Sequence, residues 1–231
     1  ASTRRRRRKK PFIGRPGRGE STFVPLDAPL ELRHTLECGQ AFRWSPDGDW
    51  YCGTVGNTAM MVRLARGGLE CRSSPKVSTG FVRHYFRLDE DLDAILKDID
   101  RDLHVHEAIQ SYRGLRLLRQ DPWECLISFV SSAASNVPKI SRCIEKMSAA
   151  HGPSLALDGM EFHGFPTPEA LARAGERSLR KCELGFRAGY IAGIARQVAK
   201  GDFDPYSLAT LPYEEAKKAL VSLKGVGEKV A

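Results

Sequence analysis

The sequence predicts an α+β fold, with an N-terminal antiparallel β-sheet layer with helices, followed by an all-helical domain. Short apolar and aromatic runs separated by turn residues fill positions 23–72, which is typical of an antiparallel meander. From about residue 78 the apolar residues recur at helical spacing instead. Near the end, an amphipathic run followed by Gly-Val-Gly predicts a helix–hairpin–helix. We therefore divide the chain into a basic arm (1–20), a β domain with helices (21–108) and a helical domain (109–231).

The basic arm carries the net charge of the chain. Residues 1–20 hold nine arginines and lysines and one acid, which accounts for the whole net charge of +8. With almost nothing to bury, the arm is predicted to be disordered. It suits a nuclear-import signal, a non-specific DNA tether or a plain solvated tail. The folded part cannot bind DNA through overall charge, so it needs a local patch or a shaped site.

The six cysteines lack the C-x-x-C spacing of zinc ribbons and redox motifs. The sequence also contains no signal peptide and no run of about 18 apolar residues. These features predict free, buried thiols and a reducing, intracellular compartment.

The predicted strands of the β domain are short and closely spaced. They cover residues 30–32, 42–44, 50–52, 60–64 and 69–71. Four aromatic side chains in this stretch are predicted to lie in the core rather than on a binding surface: Phe42, Trp44, Trp50 and Tyr51. Two helices are predicted next, over residues 81–86 and 92–99, and the second has an acidic, solvated face.

Capping residues mark the helices of the third region. Asp121 is predicted to cap a buried helix over residues 123–132, with Pro122 in its first turn. Asn136 is predicted to cap the next helix, which runs to Ala149. The small, polar linker between them offers hydrogen-bonding groups suited to a DNA contact. Further helices are predicted to begin at Thr167 or Pro168, at Ser178 and at Phe186, and to cover residues 208–223.

The hairpin near the end of the chain is predicted to hold a nucleic-acid phosphate. Gly225 and Gly227 allow a tight turn, and a helix starting at Gly227 would point free N–H groups at one anion. Val226 is predicted to anchor this turn in the core. Lys229 follows in the first turn, where burial and the helix N-terminus favour a free, nucleophilic amine. The alternative is a solvated or phosphate-binding lysine.

Five segments, in this order, resemble the 8-oxoguanine DNA glycosylases of the helix–hairpin–helix superfamily. They are residues 39–44 (GQAFRW), 117–124 (LLRQDPWE), 163–166 (HGFP), 184–188 (LGFRA) and 225–231 (GVGEKVA). The resemblance spans roughly residues 23–231, and the agreement of all five segments in register carries it.

The resemblance implies a bifunctional DNA glycosylase and AP lyase that acts on double-stranded DNA as a monomer, without a cofactor. The damaged guanine is flipped out of the duplex, because its glycosidic carbon cannot be reached in the stack. Lys229 then attacks C1′ and forms a Schiff base, and β-elimination cuts the strand. The family's hairpin carbonyls can also hold a structural cation, and no other metal is implied.

The same resemblance assigns the remaining site residues. Base recognition falls to Gly39, Gln40 and Phe42, with the Gly39 carbonyl accepting the N7–H that 8-oxoguanine has and guanine lacks. Phe186 matches an aromatic wedge that fills the stack, and Arg187 matches an arginine that faces the orphaned base. The other DNA-binding positions implied are Asn136, Lys139, Gly225, Val226 and Gly227.

The linker departs from the family pattern around the orphaned base. Of the family's asparagine triplet only Asn136 is present, because the first two positions are Ala134 and Ser135. The arginine that follows in the family is Lys139, which lacks the bidentate fork of a guanidinium. We therefore expect relaxed discrimination of the base opposite the lesion.

The sequence ends at Ala231, two residues after Lys229. The family's catalytic aspartate lies downstream of that point, as do the phenylalanine and cysteine that sandwich the base and the glutamine that reads its pairing edge. The expectation from sequence is therefore an incomplete helical domain, a truncated form, and weak activity at best for these 231 residues.

Two other functions are left open by the sequence. One is a non-catalytic module that recognises damaged or bent DNA through the hairpin and Phe186. The other is a glycosylase for oxidised pyrimidines or mismatched adenine, which fits less well because most such relatives lack the β layer. DNA repair predicts the nucleus in a eukaryote, with mitochondria as the alternative, and the cytoplasm or nucleoid otherwise.

Overall fold

The computed structural model describes residues 19–231, so the predicted disorder of the arm falls almost wholly outside the described residues. The predicted end of the arm at residue 20 is wrong, because Glu20 begins the first strand and pairs with Ser73. Gly19, just before it, donates its backbone N–H to Asp158 Oδ1 at 2.8 Å. The strand pairing of Glu20 and the hydrogen bond of Gly19 fix the position of these two residues.

Five antiparallel strands form the sheet of the N-terminal layer. Their spatial order is β1-β5-β4-β3-β2, so β2 to β5 form the predicted meander and β1 adds to the β5 edge. The predicted strands at 50–52, 60–64 and 69–71 are confirmed. The bounds are β1 Glu20–Pro25, β2 Ser45–Asp47, β3 Trp50–Val55, β4 Thr58–Ala65 and β5 Gly68–Ser74.

The predicted strand at residues 30–32 is wrong, because this stretch leads into a helix. Helix α1 spans Leu32–Glu37, and the Glu31 carboxylate caps it by accepting the His34 N–H at 2.6 Å. A cap three residues before its partner is a local signal that the short apolar run conceals.

The predicted strand at residues 42–44 is also wrong, because its side chains bond away from the sheet. The Arg43 guanidinium donates to the His163 carbonyl, and Trp44 Nε1 donates to the Tyr85 hydroxyl at 2.9 Å. These contacts hold residues 42–44 between the sheet and the helices, outside the strand pairing. The neighbouring strand β2 begins only at Ser45.

The four aromatic residues predicted to lie in the core pack in it or against it. Phe42 is buried in the core of the helical domain, whereas Trp44 and Tyr51 pack against the core of the sheet layer. Trp50 packs against a small third cluster. The helical core includes Trp123, Ile127, Ile144, Leu184, Ile191 and Val226.

Three helices begin at the predicted caps. The side-chain oxygen of each cap accepts the backbone N–H three residues further on, at 2.8 Å for Asp121, 3.0 Å for Asn136 and 3.2 Å for Thr167. These bonds satisfy N–H groups that a helix leaves unpaired in its first turn. The helices are α5 Pro122–Val130, α6 Val137–His151 and α7 Pro168–Leu179.

Helix α4 (Leu103–Tyr112) is absent from the sequence prediction, whereas α2 (Thr79–Tyr85) and α3 (Leu92–Ile99) match it. α4 buries none of its residues, so it lacks the apolar face by which helices are recognised. The boundary predicted between residues 108 and 109 therefore falls inside a helix rather than in a linker.

A small hairpin, β6 (Ser154–Leu157) and β7 (Met160–His163), also escapes the sequence prediction. It joins the two layers, because Leu157 packs in one cluster with Cys52, Ala59 and Met61 of the sheet. Strands of four residues carry too few alternations to be read from sequence.

The segment after α7 differs from the prediction that a new helix opens at Ser178. α7 kinks at Gly175, where φ is 65°, and runs directly into a π-type turn, Arg180–Leu184, that ends at Gly185. Within residues 19–231, no helix is long and apolar enough to cross a membrane. Helix α8 (Arg187–Lys200) agrees with the prediction. The helix predicted over residues 208–223 is divided into a 3₁₀ turn, Ser207–Thr210, and helix α9, Tyr213–Val221, because Leu211 has an extended backbone and Pro212 follows it.

Candidate active site

The hairpin is anchored in the helical core by apolar side chains. Leu223 and Val226 are 2% and 6% exposed, which confirms the predicted role of Val226 as the anchor. The Val226 N–H donates to the Leu223 carbonyl at 3.0 Å and closes the turn after α9. The backbone on either side of Val226 is thereby left at the surface.

The two glycines of the hairpin differ in why glycine is found at each position. Gly225 has a φ of +99°, and a β-carbon on it would lie 2.5 Å from Tyr190 Cδ2. Gly227 has no positive φ, and a β-carbon on it would meet no heavy atom within 4 Å. Gly225 is thus required by conformation and packing, whereas Gly227 keeps one side of the backbone open.

Free backbone groups surround that open side. Within residues 19–231, the N–H groups of Gly227, Glu228 and Lys229 donate no hydrogen bond, whereas Val230 and Ala231 donate to the Gly227 carbonyl at 2.8 and 3.0 Å. Successive unpaired N–H groups at the start of a helical turn form an anion site. The sequence prediction of a phosphate cradle agrees with this geometry.

The hairpin also offers oxygen atoms of the kind that bind cations. The carbonyls of Gly225 and Val226 accept no hydrogen bond from any residue of the described chain. Neutral carbonyl oxygens suit a hard cation, so these residues fit the structural cation that the resemblance implies. Among residues 19–231, no three His, Cys, Asp or Glu side chains lie close enough together to bind a metal ion.

Lys229 is exposed, so the expected burial of its side chain is wrong for the described residues. The helical turn after the hairpin, closed onto the Gly227 carbonyl, holds its backbone. Its neighbour Glu228 forms an ion pair with Lys217 of α9 at 2.5 Å, and this hydrogen bond raises the pKa of Lys217. The turn is therefore tied to α9, with the Lys229 side chain turned to solvent.

Gly39 lies beside the start of α6. Its φ is +90°, and a β-carbon on it would lie 3.1 Å from Val137 Cγ2, so a side chain here would meet both strain and crowding. Its carbonyl accepts no hydrogen bond within the described part of the chain. The surface next to it is a cleft lined by Arg33, His34, Glu37, Cys38, Tyr112 and Leu115.

The side-chain amide of Gln40 is bonded within the protein, and its predicted base-recognition role stays a prediction. Its Nε2 donates to the carbonyls of Thr35 and Arg116, both at 2.8 Å, and its Oε1 accepts the Leu118 N–H at 2.9 Å. Both amide protons and the amide oxygen are thus committed within the protein. The Gln120 amide donates to the Gln40 backbone carbonyl at 2.6 Å. Together, these hydrogen bonds hold the backbone next to Gly39.

Phe42, the third predicted base-recognition residue, is buried, and its predicted role stays a prediction. It is 8% exposed, and its ring meets Phe129 edge to face at 5.7 Å between centroids. Burial on this scale fixes the end of the segment that starts at Gly39.

A buried ion pair lies behind Phe42. Arg43 Nη1 and Glu124 Oε2 are 3.6 Å apart, and both side chains are largely buried. Burial raises the pKa of Glu124 to about 7, although the Arg43 charge opposes that shift. Burial likewise lowers the pKa of Arg43. With the bond from Arg43 to His163, the pair joins the Gly39 segment to α5 and β7.

The wedge candidate and the linker meet through Arg187. Phe186 is 54% exposed, whereas Arg187 is 3% exposed. The guanidinium donates to the carbonyls of Ala133 at 2.6 Å, Leu184 at 3.0 Å and Ala134 at 3.3 Å. Arg187 thus braces the linker from inside, and its predicted role facing the orphaned base stays a prediction.

The other linker residues predicted to bind DNA lie at the start of α6. The Asn136 side chain caps the helix through the Lys139 N–H, so its carbonyl oxygen is committed. Lys139 is half-buried, and its side chain makes no hydrogen bond or ion pair with any residue in 19–231. The Asn136 side-chain nitrogen and the Lys139 amine are therefore both available for a DNA phosphate or base.

Sequence reasoning missed two features of the site. Tyr190, which packs on Gly225, stands four residues after Phe186 and could have been found from that helical spacing. Glu183, with a φ of 65°, binds Arg142 at 2.8 Å and Lys146 at 2.5 Å and so fixes the turn before Phe186. No local signal in the sequence reports that pairing, because the partners lie about forty residues away.

Comparisons with known proteins give a family model and several similar proteins. A family model for the N-terminal domain of 8-oxoguanine DNA glycosylase matches residues 24–126. The chain is 34% identical to the N-glycosylase/DNA lyase OGG1 of Arabidopsis thaliana, over 91% of this chain and 63% of that protein. It is 32% identical to the N-glycosylase/DNA lyase of Saccharomyces cerevisiae, over 87% of this chain and 61% of that protein. The chain therefore spans less than two thirds of these relatives.

Solved structures extend the likeness to both layers. MBOgg1 in complex with a low-affinity DNA ligand superposes with a TM-score of 0.86 at 31% identity, over 96% of this chain and 77% of that one. The apo form of Clostridium acetobutylicum 8-oxoguanine glycosylase/lyase also gives 0.86, at 28% identity, over 93% and 78%. The predicted α+β class is confirmed, and the chain belongs to the 8-oxoguanine DNA glycosylase family.

Proposed function

We propose that this protein is a bifunctional DNA glycosylase and AP lyase that removes 8-oxoguanine from duplex DNA during base-excision repair. The observation that carries the proposal is the hairpin at residues 225–227, where unpaired N–H groups lead directly into Lys229. The same chain superposes on an 8-oxoguanine glycosylase/lyase with a TM-score of 0.86. Family membership supports the reaction class, and the hairpin supports its location.

The hairpin is the proposed grip on the damaged strand. A backbone phosphate would accept hydrogen bonds from the N–H groups of Gly227, Glu228 and Lys229. The open side of Gly227 leaves room for that phosphate. Because the body has no excess positive charge, such shaped contacts account for its affinity for DNA.

Lys229 is the proposed nucleophile. After losing a proton, its Nζ attacks C1′ of the flipped nucleotide, and the C1′–N9 bond breaks with its electron pair leaving on the base, which takes up a proton. The C1′–O4′ bond then opens as Nζ loses another proton, which gives the C1′=Nζ Schiff base and a 4′-hydroxyl. Loss of a C2′ proton and departure of the 3′ phosphate complete β-elimination.

The Gly39 carbonyl is the proposed discriminator between 8-oxoguanine and guanine. It has no partner among residues 19–231, so it is available to accept the N7–H of the lesion. Guanine presents a bare N7 instead, and two facing lone pairs without a proton cost roughly 1–3 kcal/mol. Gln40 and Phe42 serve this reading by holding the segment rather than by touching the base.

Phe186 is proposed to fill the gap that the flipped base leaves in the stack. The linker is proposed to contact the orphaned base. The exposed Phe186 ring suits insertion, and Lys139 is the cation available near the linker. Arg187 contributes by shaping the linker through the Ala133 and Ala134 carbonyls. Since a lysine and an alanine replace more specific readers, we expect the protein to tolerate bases other than cytosine.

A non-catalytic module for damaged DNA is the second candidate, favoured by the exposure of Lys229. An exposed lysine at this position suits a contact with a DNA phosphate. The hairpin and Phe186 would still bind a distorted duplex in that case. Trapping of the covalent intermediate separates the two functions.

The test uses the protein expressed over its complete reading frame and duplexes with one 8-oxoguanine opposite each of the four bases. Borohydride reduces a Schiff base to a stable covalent complex. We expect trapping by the wild type and by Lys224→Gln, which changes the exposed lysine just before the hairpin. We expect none by Lys229→Gln. We also expect comparable trapping opposite cytosine and adenine.

Two outcomes would contradict this assignment. Trapping by Lys229→Gln would mean that another amine is the nucleophile. Wild-type binding without trapping, on 8-oxoguanine and on a preformed abasic site alike, would establish the module. Lys224→Gln also removes one positive charge. If it still traps, the loss of trapping in Lys229→Gln is due to the missing amine and not to the missing charge.

The proposal includes a partner and a location. The partner is double-stranded DNA with oxidised guanine, bound by a monomer. The location is wherever that DNA is kept, which is the nucleus in a eukaryotic cell, and the basic arm then suits an import signal.

A further inference from the structure

We propose that Tyr190 is a positioning residue that couples the wedge, Phe186, to the phosphate-binding hairpin, residues 225–227. The inference rests on the proposed function, because wedge and hairpin have their meaning on DNA. Tyr190 lies in the first turn of α8, four residues after Phe186, so both side chains project from one face of the chain.

The first contact of Tyr190 is with the wedge. The two ring centroids are 6.0 Å apart with an interplanar angle of 78°, which is an edge-to-face pair. The Arg187 guanidinium lies 5.1 Å from the centroid of the Phe186 ring. Because Phe186 is 54% exposed, these two neighbours set the direction in which its ring projects.

The second contact is with the hairpin backbone. A β-carbon on Gly225 would lie 2.5 Å from Tyr190 Cδ2 and 2.7 Å from its Cβ, so the Gly225 backbone packs directly against the aromatic side chain. The Tyr190 ring also packs against the core that holds Leu223 and Val226. The hairpin therefore rests on Tyr190 at the position where only glycine fits.

One rigid ring thus spans the wedge and the hairpin. A tyrosine side chain has two rotatable bonds, and packed interiors transmit displacements rather than absorb them. Base flipping needs a hold on the strand and a filler for the gap at the same time. A fixed spacing between the two means that docking the phosphate also aims the wedge. The ring supplies this coupling, since the Tyr190 hydroxyl has no hydrogen-bond partner among the described residues.

The experiment is a double-mutant cycle in the complete protein. The variants are Tyr190→Phe, Tyr190→Leu, Phe186→Ala and the double variant Tyr190→Leu/Phe186→Ala. Each is titrated with a duplex that carries a tetrahydrofuran abasic analogue next to 2-aminopurine, whose fluorescence rises when the stack is opened. The readouts are Kd and the fluorescence rise at saturation, with thermal unfolding as the check on folding.

The expected result separates the ring from the hydroxyl. Tyr190→Phe should bind within about twofold of the wild type with the full fluorescence rise, because it keeps the ring. Tyr190→Leu and Phe186→Ala should each weaken binding about tenfold and lose most of the rise. The double variant should be no weaker than the weaker single variant, because residues that act as one unit are not additive.

Additive losses, about 100-fold in the double variant, would overturn the coupling. So would a full fluorescence rise in Tyr190→Leu. If that variant does not fold, Tyr190→Met replaces it with the same expected results. A wild type that binds and opens this duplex but traps no Schiff base contradicts the glycosylase alone, whereas one that does not bind it overturns both proposals.

Discussion

Ala134 has a backbone conformation that suits asparagine better than alanine. Its φ is +50°, in the left-handed region that costs an ordinary residue roughly 1–2 kcal/mol. The residue is exposed, so no packing explains the strain. Its carbonyl accepts the Arg187 Nη2 bond at 3.3 Å, which holds the linker in this shape.

Ala134→Asn should therefore stabilise the protein by up to about 1 kcal/mol, because asparagine tolerates this φ. Thermal unfolding should show a rise of about 2–4 °C for a chain of this size. The substitution also restores the first residue of the family's asparagine triplet, so trapping should shift toward cytosine opposite the lesion. Ala150→Asn, at an exposed position near the end of α6, is the control and should give no gain.

Gln40 illustrates how residue type alone does not reveal which hydrogen bonds a side chain makes. An amide beside the base-reading glycine is a natural base reader, yet all its polar atoms bond to Thr35, Arg116 and Leu118. The partners from residues 116–118 lie more than seventy positions away, so only the folded chain brings them together.

The hairpin, as an element, separates two glycines that look equivalent in sequence. Gly225 carries a φ of +99° and faces Tyr190, whereas Gly227 faces open space. The first is needed for the turn to form, and the second leaves open the space that the proposed phosphate would occupy. A pair of matched alanine substitutions distinguishes these roles.

Gly225→Ala should destabilise the protein by about 2–3 kcal/mol, through strain and overlap with Tyr190. Gly227→Ala should change the free energy of unfolding by less than about 0.5 kcal/mol but weaken binding to an abasic-analogue duplex. Thermal unfolding and Kd at one salt concentration measure the two effects. Equal destabilisation by both substitutions would contradict the assignment, as would unchanged DNA binding by Gly227→Ala.

At the scale of the whole molecule, the Arg43–Glu124 pair joins the sheet layer to the helices. Glu124 lies in α5, and Arg43 reaches both it and the His163 carbonyl of β7. The pKa of Glu124 is raised to about 7 from an ordinary 4.5, with burial as the main cause. Folding therefore favours the protonated carboxyl, and the buried charge costs stability at higher pH.

Glu124→Gln should flatten the pH dependence of stability between about 4.5 and 7. In this window the folded state binds the proton more tightly, so the wild type loses stability as pH rises, by about 3 kcal/mol for a shift of this size. Burial lowers the pKa of His151, whose titration has the opposite sign, so the measurement is the difference between variant and wild type by denaturant unfolding at each pH. A pH-independent difference would contradict this account.

Features that are encoded within a few residues could be predicted from the sequence. Caps at Asp121, Asn136 and Thr167 bond to N–H groups three positions on, and the periodicity of apolar residues separates strands from helices. The same local logic predicted the hairpin anchor, Val226. It failed for α4 and the β6–β7 hairpin, which carry little or no apolar pattern of their own.

Tertiary structure alone decided what each site residue is committed to. Gln40 and Arg187 became supports because distant backbone carbonyls take their protons, and Gly225 differs from Gly227 because Tyr190 packs on it. Lys229 is exposed although its motif favoured burial. Hydrogen-bond satisfaction, burial and crowding depend on which segments meet in space, and a reading of neighbouring residues does not contain that information.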